Sequence, residues 1–197
     1  MSTRPWRGGE HGAYPSPPPP PSPCAPTRGE VLALSDRLGR PVIAGHGRRI
    51  GRLRDLVARV AGADSPLVVG LLIRRARRDL ILPIGEVGLL APRTTRAVLV
   101  APSPITVPFA RRAGQALLRC DMLDSHMLHR RGPQAVRVND VMLAESAEGD
   151  WLVTGVDSSL RARWRRVLPF PLRPARDAGR PVVWTDLAPL THRAGQG

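Results

Sequence analysis

Ile50-Gly51-Arg52-Leu53-Arg54-Asp55-Leu56-Val57, followed after a turn at Gly62-Ala63-Asp64-Ser65 by Leu67-Val68-Val69-Gly70-Leu71-Leu72-Ile73, decides the fold of this chain. Both runs are short, aliphatic and partly β-branched, and turn formers bound them, which reads as paired strands. Upstream, Pro41-Val42-Ile43 leads into a glycine turn at Gly45-His46-Gly47. Downstream, Arg74 to Asp79 reads as a polar loop, Leu80-Ile81-Leu82-Pro83 as a further strand, and Val98-Leu99-Val100 as the last of the block. Glycine and proline recur too often to leave three clean helical turns. The expectation is an all-β meander closing into a small barrel.

The same pattern returns further along the chain. Leu38 has a counterpart in Leu123, Gly47 in Gly132, Arg52 in Arg137, Asp55 in Asp140 and Gly70 in Gly155, each pair 85 positions apart. Leu53-Arg54-Asp55-Leu56 matches Val138-Asn139-Asp140-Val141, and Val69-Gly70-Leu71 matches Thr154-Gly155-Val156. Five coincidences at one gapless offset mark a duplication. Later the offset becomes 100, where Pro83-Ile84-Gly85-Glu86-Val87 resembles Val183-Trp184-Thr185-Asp186-Leu187, so the second copy carries a 15-residue insertion. Within it Ser158-Ser159 can cap a short helix, Leu160 to Leu168, which Pro169 and Pro171 end. Its stripe of Leu160, Trp164, Val167 and Leu168 is expected to dock on the core, with a partner-binding helix as the alternative.

The chain has 197 residues and a formal charge of +14, and all 30 of its basic residues are arginine. Exclusive use of arginine, beside abundant Ala, Gly and Pro, reads as codon bias serving general solvation, which weakens the nucleic-acid reading that such charge invites. Residues 1–29, with the run Pro17 to Pro21, read as a disordered polyproline tail. The expected organisation is this tail, a first barrel over 30–105, and a second, barrel-like unit over 112–192 with the helical insertion at about 159–168. Cys24 and Cys120 form no disulfide framework, and no stretch approaches about 18 uninterrupted apolar residues, so a cytoplasmic chain without a membrane span is expected.

The first block resembles the PRC-barrel family. The resemblance rests on Gly47, on Ile50-Gly51-Arg52-Leu53-Arg54-Asp55, on Val69-Gly70-Leu71, and on Leu82-Pro83-Ile84 followed by Glu86-Val87. The second copy is looser, since Val136 stands where the strand glycine would be. Its run Val183 to Leu190, after Gly155-Val156-Asp157 and the arginine-rich helix, is similar to the tandem-barrel N-terminal region of bacterial MgtE-type magnesium transporters. The resemblance implies two PRC-type barrels in tandem acting as a cytoplasmic interaction or regulatory module, with a protein partner associated with a membrane transporter. It implies a stand-alone or truncated relative, without conduction.

The conspicuous residues read as structural. Gly51 and Gly70 lie inside strands, where glycine marks a bulge or tight bend, and Gly47 and Gly155 are read with them. Asp55 and Asp140 are expected to accept backbone N–H groups. His126 and His129, near Cys120, Asp121 and Asp124, are the one cluster of metal-like composition, but no second Cys or His pair completes a closed site. Ser35, Ser125 and Ser146 lie in no nucleophile context, and no glycine-rich phosphate loop precedes a helix, so neither an enzyme nor a cofactor is expected. The candidate interaction residues are Arg74, Arg75, Arg77 and Arg78 in the first copy, and Arg161, Arg163, Arg165 and Arg166 in the second. An RNA- or ribosome-associated role is the alternative, although only Trp151 and Trp164 could offer stacking surfaces nearby.

Overall fold

The computed structural model describes residues 31–61, 64–89, 97–132, 134–168 and 181–189. The proline-rich tail expected over 1–29 lies outside them, as do Pro169 and Pro171.

Alternating burial builds the first copy from β1 (Leu32–Ala33), β2 (Pro41–Ile43), β3 (Arg49–Arg59), β4 (Leu67–Arg75), β5 (Arg78–Pro83), β6 (Val87–Leu89) and β7 (Val98–Val100). After β8 (Val107–Pro108), the second copy runs through β9 (Gln115–Leu117), β10 (His126–His129), β11 (Ala135–Arg137), β12 (Asp140–Glu145) and β13 (Trp151–Asp157). It continues with α1 (Leu160–Val167), β14 (Val182–Val183) and β15 (Leu187–Pro189). The chain is mostly β, and its main sheet curls into a half-barrel.

Register makes the duplication visible. Val57 faces Gly70 in the first copy and Met142 faces Gly155 in the second; in each, the next pair skips one residue, Val69 or Thr154, which bulges. The third strand crosses at the same place, pairing Gly70 with Pro83 and Gly155 with Val183. A Cβ on Gly70 would sit 2.9 Å from the Leu82 carbonyl oxygen, and one on Gly155 only 2.3 Å from that of Val182. Glycine is required there because a neighbouring backbone occupies the space. The Gly47 and Gly132 pair is different: Gly47 has φ +73 and Gly132 does not adopt the left-handed conformation. That turn carries one more residue in the second copy, where His129 N–H reaches Gln134 while Ala44 N–H reaches Arg48.

The copies are interlaced. β1 pairs with β12 of the second copy, and β9 pairs with β3 of the first. β4 meets β13 at Leu67 and Leu152. Among the described residues these links join 12 strands into one sheet running through both copies, and a separate three-stranded sheet holds β11, β10 and β15. A single buried cluster joins Leu34, Leu53, Leu56 and Leu71 to Leu118, Val138, Val141 and Val153.

Three local features depart from the sequence reading. Arg74 to Asp79 is no loop: β4 and β5 run on until only Ala76 and Arg77 remain between them, with φ of 46 and 66. Positive φ at both central positions matches the twist of a tight hairpin, here at some cost because neither residue is glycine. The inserted helix forms where expected, and Ser159 Oγ accepts from Ala162 N–H at 3.2 Å. Two residues of its expected stripe do not dock, however: Leu160 is 70% and Trp164 56% exposed, while Leu168 is half-buried and Ala162 on the other side of the helix is buried. Finally, β7 stands between β2 and β6 in the first copy, whereas β15 pairs directly with β10 in the second.

Candidate functional site

Two buried carboxylates lock the copies together. Asp55 accepts N–H bonds from Leu56 at 2.7 Å, and from Arg119 and Cys120 of the second copy at 2.7 and 3.0 Å. Asp140 accepts from Val141 N–H at 2.9 Å and from Ser35 N–H of the first copy at 3.1 Å, and also takes the Ser35 hydroxyl. Ser35 and Cys120 are themselves counterparts, so the two latches are the same contact made reciprocally. Each carboxylate caps the short helical turn of the opposite copy, Leu118–Met122 or Leu34–Asp36, whose first N–H groups have no partner within the turn. Burial lifts both carboxyls above the usual range, against the opposing pull of these bonds. The Cys120 thiol is raised by burial and by Asp55 beside it.

One end of β3 and β4 and the Asp55-capped turn enclose a cleft of about 890 Å³. Six arginines line it: Arg49, Arg52 and Arg54 from β3, Arg74 and Arg75 from β4, and Arg119 from the second copy. Arg74 grips Asp79 through Nε and through Nη2 at 2.8 Å, which holds that carboxyl below its ordinary value; Arg54 approaches the same group at 3.6 Å. Arg52 donates to the Gly39 carbonyl at 2.9 Å. Among the described residues no carboxylate pairs with Arg49, Arg75 or Arg119. Asp124, the one acid in the lining, pairs with Arg137 at 3.1 Å. Such a concavity concentrates positive potential and favours an entering anion.

At the 85-residue offset Arg49, Arg52, Arg54 and Arg119 correspond to Gln134, Arg137, Asn139 and Leu34, while Arg74 and Arg75 fall opposite Ser159 and Leu160, where β13 has already given way to the start of the inserted helix. One arginine of the six has a counterpart. Five of the six arginines thus come from the first copy, and the lining also holds both members of two counterpart pairs, Leu38 with Leu123 and Gly39 with Asp124.

Of the expected interaction residues, Arg74 and Arg75 line the cleft, while Arg77 and Arg78 lie at the exposed hairpin tip outside it. Arg161 and Arg163 are exposed on α1 and do not line the cleft; Arg165 and Arg166 fall on α1 too, but their side chains lie outside the described set. The structure therefore does not bring the two arginine clusters together around this cleft. Sequence reasoning missed Arg49, Arg52, Arg54 and Arg119. His126 and His129 lie on a strand, and His129 Nδ1 accepts from Arg131 N–H at 3.2 Å. Among the described residues no group of His, Cys, Asp and Glu is arranged to hold a metal ion, and no helix is long and apolar enough to cross a membrane. No known protein family, curated protein or solved structure matches the chain.

Proposed function

We propose that this chain is a non-enzymatic, cytoplasmic interaction and regulatory module, built on two PRC-type barrels in tandem like the accessory barrels of MgtE-type magnesium transporters, and that its arginine cleft receives an acidic segment of a partner protein. The observation that carries the reading is the gathering of six arginines around one cleft, of which Arg49, Arg75 and Arg119 pair with no carboxylate among the described residues. Guanidinium groups bind carboxylate and phosphate oxygens through paired N–H donors, which suits recognition of an anionic segment. The Ser35 hydroxyl in the cleft lining is buried and, like the Ser35 N–H, donates to Asp140, which fits a capping contact that holds the turn.

RNA is the second reading, favoured by the formal charge of +14. Against it stands the absence of aromatic side chains from the lining, since single strands gain much of their affinity from stacked bases. Titration with a glutamate-rich peptide and with a single-stranded RNA of equal charge, at low and high salt, separates the two. The protein-partner reading expects the peptide to bind and Arg49→Gln with Arg75→Gln to weaken it about tenfold. RNA binding that is tighter than the peptide's and steeply salt-dependent would instead favour the second reading.

A further inference from the structure

The cleft is furnished with forks rather than point charges, and one of them is already engaged by a carboxylate. Arg74 presents Nε and Nη2 to Asp79, and Arg54 Nε lies 3.6 Å from the same carboxylate. Asp79, outside the lining, thus engages two of the arginines and Asp124 within it pairs with Arg137, while Arg49, Arg75 and Arg119 line the cleft without carboxylate partners among the described residues. A phosphate monoester brings close to two charges and three acceptor oxygens, and can bridge guanidiniums that come from different strands.

Resting on the reading that the cleft takes an acidic segment of a partner, we propose that this segment is phosphorylated, and that the cleft of the first copy is a phosphate-dianion site. The arginines supply both specificity and charge. Arg52 and Arg54 project from β3, Arg75 leaves the end of β4, and Arg119 comes from the second copy on a turn that Asp55 pins by its backbone. Donors on separate, fixed elements are preorganised, so an ordered array of phosphate oxygens gains more there than a flexible run of carboxylates does. The lining holds both members of two counterpart pairs, Leu38 with Leu123 and Gly39 with Asp124, so the duplication supplies no second, separate cleft of this kind and one phosphorylated segment is expected per chain.

The test is fluorescence anisotropy on the full chain with four labelled probes of similar length. They are a peptide with two adjacent phosphoserines, the same peptide with four glutamates for matched charge, the unmodified serine peptide, and a single-stranded RNA. The phosphopeptide is expected to bind at least tenfold tighter than the glutamate peptide and with a stoichiometry of one. Arg75→Gln with Arg119→Gln should remove that preference, whereas Arg161→Gln with Arg163→Gln on α1 should leave it intact. Equal affinity for phosphoserine and glutamate peptides overturns the phosphate inference and leaves the acidic-partner reading standing. Binding of neither peptide overturns both, and RNA binding tighter than the phosphopeptide's overturns the inference in favour of a nucleic-acid ligand.

Discussion

Leu67 of β4 pairs with Leu152 of β13, and each is the other's counterpart in the duplication. A residue that pairs with its own equivalent lies on a local two-fold axis. The duplicated halves therefore meet as the subunits of a symmetric dimer would, joined in one chain. The reciprocal latches follow from the same symmetry, Asp55 holding the turn at Cys120 and Asp140 the turn at Ser35. The cleft breaks that symmetry in its side chains and, where the end of β4 corresponds to the start of α1, in its backbone.

Removing a latch should unfold both halves at once. Asp140→Ala strands the buried Ser35 N–H and hydroxyl, at about 1–3 kcal/mol for each donor left without an acceptor. Urea denaturation is expected to show one cooperative transition, shifted to lower midpoint. Two separated transitions would mean that the halves are stable independently.

Glycine at the crossing of the third strand should be intolerant of even one methyl group. Gly155→Ala is expected to cost more than Gly70→Ala, because its Cβ would meet a carbonyl oxygen at 2.3 Å instead of 2.9 Å. Overpacking of this kind costs about 1–3 kcal/mol, and thermal midpoints of the two variants measured side by side would rank them.

The duplication and the all-β texture were legible in the chain because spacing and apolar period survive without coordinates. Which copy each element pairs with was not. An exchanged arrangement and an unexchanged one satisfy the same local pattern, so the 85-residue spacing identifies Asp55 and Asp140 as equivalents without revealing that each reaches across. The cleft was hidden for another reason. Ile50 and Arg54 are extra residues in the ladders of β3, so strict alternation misassigns the faces, and Arg49, Arg52 and Arg54 reach one cavity despite their uneven spacing. On α1, Leu160 and Trp164 of the expected stripe face away from the body, and the buried contact is the small Ala162, which an apolar pattern gives no weight.

The hairpin tip between β4 and β5 should be open to improvement. Ala76 and Arg77 hold positive φ, which costs an ordinary L-residue about 1 kcal/mol. Arg77→Gly is expected to raise the unfolding midpoint without altering cleft binding, since Arg77, unlike Ala76, does not line the cleft. A lowered midpoint would argue against this turn geometry.

Acid should favour the latches. Burial raises the Asp55 and Asp140 carboxyls, so the native state holds their protons more tightly than the unfolded chain. The stability they lend is full below the ordinary carboxylate value of 3.8 and is lost as pH rises through the raised values. Asp79, held low by Arg74, works the other way: its contribution is present above the ordinary value and fades as pH falls, and exposure keeps it small. The stability gap between wild type and Asp55→Asn with Asp140→Asn should therefore widen on acidification, as denaturant titrations at several pH values would report; a narrowing gap would contradict it.

Arg119 joins the architecture to the activity, because its backbone N–H binds Asp55 of the first copy while its side chain lines the basic cleft. Arg119→Gln keeps the backbone contact and removes the charge. Calorimetric titration of the phosphorylated acidic peptide into this variant should show about a tenfold loss of affinity at an unchanged thermal midpoint. Unchanged affinity would contradict a binding cleft completed by the second copy.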